Sequence, residues 1–411
     1  MSELTGLARL ASGAIPYPFS HVRELLSPFP PGIEPVIDLT LGEPREAMPP
    51  HIAETISAAQ ARFANYPPIR GTDELRLAIA SWIERRFCLG PGQKVGIDPE
   101  TEILPCNGSR EGLFYACLPA VGRKPLPDGK RPAVLMCNPY YAAYIGAALA
   151  TNAEPVYLNA TEETGHLPDL EALSAETKLL ERTCALYLCS PANPQGAVAR
   201  PEYIARALEL ARRYDFMLFF DECYSEIYSG AAPVGALAIA AATAARFRNL
   251  VVFNSLSKRS NLPGLRSGFM AGDGKFLSSL ATIRNLIGPQ MPGPTQVASA
   301  AIWAEEQHVI ANRLAYRKKY DICDEVLGTR YGYARPAGGF FLWLNLSQFG
   351  GGIDASVTLW QRAGVKVLPG AYLAQTGRDG INPGADYVRV ALVQSPETIR
   401  QALLRMVEVF A

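Results

Sequence analysis

Short runs of uninterrupted apolar residues recur through the middle of the chain, and each ends on a polar or turn-forming cluster. Ala133-Val134-Leu135-Met136-Cys137 stops at Asn138-Pro139, and Ala185-Leu186-Tyr187-Leu188-Cys189 runs into Ser190-Pro191-Ala192-Asn193-Pro194-Gln195-Gly196. Phe216-Met217-Leu218-Phe219-Phe220 runs into Asp221-Glu222-Cys223-Tyr224, and Leu250-Val251-Val252-Phe253 leads into Ser255-Leu256-Ser257-Lys258. Runs this short, apolar at every position, read as strands of a parallel sheet covered on both faces. Between two of them, Pro201 to Tyr214 has helical spacing, with Pro201 and Glu202 suited to a first turn. Strand, helix and strand in alternation predict an α/β core. Ligands of such sheets collect at the carboxyl ends of the strands, where the polar clusters lie.

The ends of the chain follow another pattern. Residues 1–50 are rich in proline and turn signals. After a break at Gly288-Pro289-Gln290-Met291-Pro292-Gly293-Pro294, the spacing predicts one long helix from Gln296 to about Leu327. Strands are expected at Phe340–Leu346 and Val388–Val393. We therefore expect a large α/β domain over 51–294 and a smaller α+β domain assembled from 1–50 and 295–411, able to close over a substrate. A length of 411 residues agrees with two cores rather than one.

Composition narrows the function classes. The 39 basic and 39 acidic side chains balance, which argues against a nucleic-acid or anionic-membrane partner. No run of about 20 apolar residues offers a membrane span. Met1 to Pro16 lacks a basic region followed by an apolar run, so a secretory signal is not expected. A soluble, cytoplasmic protein is the expectation. The eight cysteines are scattered without a CxxC pair, and the four histidines lie far apart. This spacing predicts buried free thiols and no metal site.

The candidate chemistry sits at the predicted strand ends. Lys258 lies among the hydroxyls of Ser255 and Ser257, with Arg266 eight residues on, beyond Pro263-Gly264. A lysine amine is nucleophilic only when neutral, and the cationic neighbours Arg259 and Arg266 favour that form. The planar fork of Arg266 and the two hydroxyls suit a phosphate. Together they describe a Schiff-base lysine beside a phosphate pocket, the equipment for holding pyridoxal phosphate. Asp221, ending a buried strand, needs a partner that keeps it charged, such as a pyridinium nitrogen; a helix cap is the simpler alternative. Tyr224 and Asn193 offer hydrogen bonds to a ring oxygen, and Tyr141 a face for stacking. Gly108-Ser109-Arg110 opens a predicted helix and forms an anion site there. Arg389, inside the apolar Tyr387–Ala391, calls for an anion, either a substrate carboxylate or an internal salt bridge.

In order, Gly42, Tyr66, Gly108-Ser109, Tyr141, Asn193-Pro194-Gln195-Gly196, Asp221-Glu222-Cys223-Tyr224, Ser255-Leu256-Ser257-Lys258, Arg266 and Arg389 resemble the class I/II aminotransferases of pyridoxal phosphate fold type I. Spacings of 28 positions from Asn193 to Asp221 and 37 from Asp221 to Lys258 make the resemblance specific. It implies an aspartate aminotransferase-like fold, with a mostly parallel central sheet in the large domain. By the same resemblance Lys258 holds the cofactor and shuttles the proton. Asp221 pairs with the pyridine nitrogen, while Asn193 and Tyr224 contact the ring oxygen. Ser109, Ser255, Ser257 and Arg266 take the phosphate beside Gly108 and Arg110, and Tyr141 stacks on the ring. Arg389, helped by Gly42 and Asn193, clamps the substrate α-carboxylate. Tyr66 reaches the neighbouring subunit's phosphate, which implies a homodimer with shared sites.

A narrower likeness is carried by Tyr17-Pro18-Phe19, Leu41-Gly42-Glu43-Pro44, Asn107-Gly108-Ser109-Arg110-Glu111 and Ser257-Lys258-Arg259-Ser260-Asn261-Leu262-Pro263-Gly264-Leu265-Arg266-Ser267-Gly268. These resemble the bacterial N-succinyldiaminopimelate aminotransferases of lysine and diaminopimelate synthesis. Leu286-Ile287-Gly288-Pro289-Gln290 has glycine where the aspartate enzymes of the family carry an arginine, leaving room for a longer substrate. The expected reaction is therefore transamination of N-succinyl-L,L-diaminopimelate with 2-oxoglutarate. Acetylornithine, aspartate or aromatic substrates, and C–S lyase chemistry, are the alternatives on the same scaffold. A non-catalytic regulator with this domain would need a DNA-binding region, and the first 50 residues show no basic helix-turn-helix pattern. Arg23, Arg45, Arg110 and Arg284 are candidates for a distal carboxylate.

Overall fold

The computed structural model describes residues 6–13, 15, 17–87, 95–124, 126, 130–288, 290–377 and 379–411. Seven strands form the central sheet: β1 (Ile103–Cys106), β2 (Ala133–Asn138), β3 (Glu154–Asn159), β4 (Thr183–Cys189), β5 (Met217–Asp221), β6 (Leu250–Ser255) and β7 (Gly268–Gly272). Their order across the sheet is β1-β7-β6-β5-β4-β2-β3, and only β7 runs antiparallel to its neighbours. The expected mostly parallel sheet is present.

The apolar runs are continuous because both sheet faces are covered, and the pleat divides their side chains between two cores. Leu135, Leu186, Leu188, Leu218, Phe220 and Val252 pack with Leu75, Ile79, Ile204 and Leu208 on one face. The alternate positions Met136, Tyr187, Phe219, Phe253 and Met270 pack with Leu113, Tyr144, Leu277 and Leu280 on the other. The helix predicted at Pro201–Tyr214 occupies Pro201–Arg213.

A smaller antiparallel sheet lies apart, made of β8 (Phe341–Asn345), β9 (Leu368–Pro369) and β10 (Tyr387–Ala391) in the order β9-β10-β8. Ile37–Asp38 pairs parallel with Val365–Lys366, which brings the N-terminal region to the same unit. Its core gathers Leu39, Tyr316, Tyr320, Leu344, Val388, Val390 and Leu403.

The single long helix expected from Gln296 to Leu327 is instead two, Gly293–Ala304 and Gln307–Leu327. Glu305 between them has extended backbone, with φ −104° and ψ 140°. The physical reason lies in the partners of the two halves. Ala298, Ile302 and Trp303 pack into the larger core, whereas Tyr316, Tyr320 and Cys323 pack into the smaller. A boundary at 294 therefore falls ahead of a helix that belongs with the larger core. Pro289 and Cys88 lie outside the described residues. The other seven cysteines are free and buried. Among the described residues no cluster suits a metal ion, and no helix is long and apolar enough to cross a membrane.

Candidate active site

Five parallel strands deliver the predicted residues to one end of the sheet. Beyond the carboxyl ends of β1, β2, β4, β5 and β6 come Ser109, Tyr141, Asn193, Tyr224 and Lys258 respectively. With Gly42, Arg110, Asp221, Ser255, Ser257, Arg266 and Arg389 they line one cavity of about 790 Å³. Two predicted residues are not on its wall. Gly108 lies just behind Arg266, and Tyr66 stays outside with 98% of its surface exposed.

Lys258 sits on a single helical turn, Leu256–Arg259, immediately after β6. Its Nζ donates to the Gly42 carbonyl at 2.5 Å and lies 5.4 Å from the Phe340 ring. Burial pulls the amine down to about 8, and the charges of Arg389 and Arg110 act in the same direction. The expectation that Arg259 and Arg266 do this needs correction. Arg259 turns away and ends against Ile302, Glu305 and Glu306, while Arg266 binds the carbonyls of Pro263 and Asn107. A neutral fraction of Lys258 near pH 8 owes most to desolvation.

Asp221 closes β5 and is buried. One carboxylate oxygen accepts from the Tyr144 hydroxyl at 2.9 Å and the other from the Cys223 amide at 3.1 Å. Burial pushes its carboxyl upward against those hydrogen bonds. No helix begins directly after Asp221, so the helix-cap alternative does not account for it, and among the described residues no cation pairs with it. A carboxylate so placed favours a positively charged partner in the cavity. Tyr144 was not anticipated; one aromatic among many in an alanine-rich helix gives no signal. Tyr224 is buried against Phe340 and Phe341 of the smaller unit, so the Asp221–Tyr224 turn is where the two units meet.

At the other end of the cavity the antiparallel β7 does the positioning. Gly268 pairs with Cys106 on one side and Ser255 on the other, bringing the residues before it against both strand ends. A side chain at Gly268 would meet the Asn254 carbonyl at 2.6 Å. Arg266 then reaches over Gly108, whose φ of +81° is in the glycine region and whose Cβ would lie 2.3 Å from the Arg266 Nη2. The Ser255 and Ser257 hydroxyls are 2.8 Å apart, and Ser109 opens the helix Ser109–Arg123. Hydroxyls, a guanidinium and a helix start converge as an anion site.

The smaller unit supplies Arg389 from the middle of β10. It is buried, with Nη1 donating to Asn193 Oδ1 at 3.3 Å and Nη2 to the Thr40 carbonyl at 2.7 Å. Its Nε has no partner, and among the described residues no carboxylate pairs with it. The internal salt bridge is therefore absent, which leaves the alternative of an exogenous anion. Burial brings this guanidinium down to about 10, still charged at neutral pH. Arg110 also faces the cavity, with its Nε on the Tyr141 hydroxyl at 2.6 Å and the Tyr17 hydroxyl also bonded to it. The other arginine candidates do not compete. Arg284 is buried on the Pro105 carbonyl and Glu111, Arg45 holds Gln394, and Arg23 is not on the cavity wall.

One cavity thus contains a half-buried amine, a buried carboxylate lacking a cation, an anion site and two guanidiniums lacking carboxylates. This combination can hold a phosphorylated, nitrogen-containing ring and a substrate bearing more than one carboxylate.

A family model described as aminotransferase class I and II matches residues 34–405. An aminotransferase of Neisseria meningitidis of known structure is 36% identical, with a TM-score of 0.89 over 96% of this chain and 98% of that one. An LL-diaminopimelate aminotransferase of Syntrophobacter fumaroxidans is 28% identical over 397 residues, covering 95% of each chain. A Thermus thermophilus aspartate aminotransferase mutant, 24% identical and covering 100% of both chains, shares the fold with a TM-score of 0.80.

Proposed function

The chain belongs to the class I and II aminotransferases, and from that premise we propose that it transaminates N-succinyl-L,L-diaminopimelate with 2-oxoglutarate. The products are N-succinyl-2-amino-6-oxopimelate and glutamate, and biosynthesis of diaminopimelate and lysine runs the exchange in reverse. Enzymes of this family depend on pyridoxal phosphate. The residues present fit it: Asp221 is a buried carboxylate without a cation, and Lys258 is a half-buried amine whose pKa desolvation lowers. Ser109, Ser255, Ser257 and Arg266 surround an anion site.

When bound, the cofactor supplies an electron sink for a bond broken at the substrate α-carbon. Asp221 would hold the proton on its ring nitrogen, and Asn193 and Tyr224 would bind its ring oxygen. Ser109, Ser255, Ser257 and Arg266 would hold its phosphate beside Gly108 and Arg110, and Tyr141 would cover its face. Lys258 would hold its aldehyde carbon, and the free Lys258 Nζ would take the α-proton as general base and deliver it, as general acid, to the cofactor carbon that keeps the amino group. Arg389, with Gly42 and Asn193, orients the α-carboxylate.

The observation that carries the substrate reading is the pair of guanidiniums without carboxylates, Arg389 and Arg110, on a cavity of about 790 Å³. Two carboxylates of one substrate answer two such cations, as in glutamate and in the diaminopimelate skeleton, and the succinyl group adds a third carboxylate. The size leaves space for an acylated side chain beyond them. The name of the Syntrophobacter fumaroxidans relative favours a second reading, in which free L,L-diaminopimelate is the substrate. Exposed Phe63, Tyr66, Leu286 and Ile287 support a homodimer, within which Tyr66 reaches the partner's phosphate site. We place the enzyme in the cytoplasm, and read the two cores as a large and a small domain meeting at Glu305.

Absorption titration of the holoenzyme tests this. Glutamate and N-succinyl-L,L-diaminopimelate should each convert the cofactor to its amine form, and 2-oxoglutarate should reverse the change. Response to L,L-diaminopimelate but not to its succinyl derivative selects the second reading. Release of ammonia and pyruvate in place of a reversible change would overturn transamination.

A further inference from the structure

The three residues that follow Lys258 bond to the crossover between the two cores, to the helix Gln307–Leu327 beyond it and to Ala47. A helix terminus leaves its last carbonyls without partners. At the end of Gly293–Ala304, Arg259 donates to two carbonyls, with Nη1 on Ile302 at 3.0 Å, which also accepts from the Glu305 amide, and Nη2 on Glu305 at 2.9 Å. The same guanidinium pairs with Glu306 at 2.7 Å and lies 5.0 Å from the Trp303 ring. Ser260 Oγ is 2.8 Å from His308 Nε2, whose Nδ1 is 2.9 Å from Glu305. Asn261 donates to Asn312 Oδ1 at 3.3 Å and to the Ala47 carbonyl at 3.1 Å.

Asn312 also reaches the lysine itself. Its Nδ2 donates to the Lys258 carbonyl at 3.3 Å and lies 3.5 Å from the Arg259 carbonyl. Arg259 and Ser260 are fully buried, and Asn312 is 4% exposed. A buried guanidinium carries a large desolvation penalty, which a loop that needed only tethering would avoid. The lysine stem has four flexible carbons, so its amine can be placed only as well as its main chain is placed.

We propose that Asn312 is a positioning residue for Lys258. It ties the lysine main chain to the first long helix of the smaller unit, so the setting of that unit on the larger one is transmitted to the amine. The inference rests on the reading of Lys258 given above.

The test uses two holoenzyme variants. Asn312→Leu keeps the branched shape but removes the donors, and Asn312→Ser cannot clash and is too short to span the gap. Steady-state kinetics with glutamate are measured beside the pH midpoint of the cofactor's visible absorption and the melting temperature. In either variant kcat should fall roughly 10- to 100-fold, as for a catalytic group displaced by a fraction of an ångström to an ångström. KM should stay within about twofold, because ground-state binding is untouched. The absorption midpoint should move by at least about half a pH unit, since the surroundings of the amine change. Wild-type kcat and midpoint, whatever the melting temperature, would overturn the positioning role. A wild-type holoenzyme whose absorption ignores glutamate would instead overturn the reading of Lys258, so the two failures are distinct.

Discussion

Lys258 in its folded surroundings titrates near 8, against 10.5 for an ordinary lysine, because burial disfavours the cation. The sign of the stability effect follows directly. Between pH 8 and 10.5 the unfolded chain holds a proton that the folded cofactor-free protein has released, so stability rises with pH in that window. Glu222 works the other way, since burial raises it to about 8 and its contribution falls as pH climbs to that value. Comparison with Lys258→Met separates them, because Glu222 is common to both proteins. The stability of cofactor-free wild type relative to this variant should increase by up to about 3 kcal/mol from pH 7.5 to 10.5 in urea unfolding. A flat difference would mean that the amine is hydrated in the folded state. On the proposed reading, Asp221→Asn removes the negative charge that pairs with the cofactor's ring nitrogen. It should lower kcat by roughly 10²- to 10³-fold, the scale for one preorganised electrostatic contact, with glutamate KM little changed.

Strand ends were legible because chemistry and hydrophobic pattern coincide there: an apolar run that stops on Asp221 or Asn193 marks both the element and its site. The turn at Gly108 was legible as a helix start suited to an anion, but not as the seat of Arg266. Its use emerges from β7, whose Gly268 pairs with two strands distant in sequence and thereby brings Arg266 over Gly108. Gly108→Ala sets a Cβ against Arg266 in a backbone conformation that alanine resists. Losing one charge-assisted hydrogen bond to phosphate should raise the cofactor Kd roughly tenfold or more, measured by equilibrium dialysis. The helix break at Glu305 was not legible. Apolar spacing continues smoothly from Gln296 to Leu327, and the interruption is imposed by two cores claiming the two halves. Tyr144 and the turned-away Arg259 were missed for the same reason, since each is defined by contacts that only tertiary packing creates.

For the whole molecule the decisive observation is that Tyr66 is 98% exposed in a single chain and is not on the wall of the cavity that its predicted role requires. Phe63, Leu286 and Ile287 are also exposed, and large apolar side chains left in water are what the proposed subunit boundary would cover. If Tyr66 completes the neighbouring subunit's phosphate site, each site draws on two chains, and defects in different chains can complement. Lys258→Ala and Tyr66→Ala homodimers should both have little activity. Exchanged by mild denaturation and refolding, the mixture contains heterodimers in which one site has both intact residues and the other has neither. About a quarter of wild-type activity per site should return at equal mixing, the share expected when half of the dimers carry one good site. Sedimentation should show a dimer before and after exchange. A dimer whose mixture stays inactive would place Tyr66 outside the partner's site, while a monomer would remove the shared-site architecture altogether.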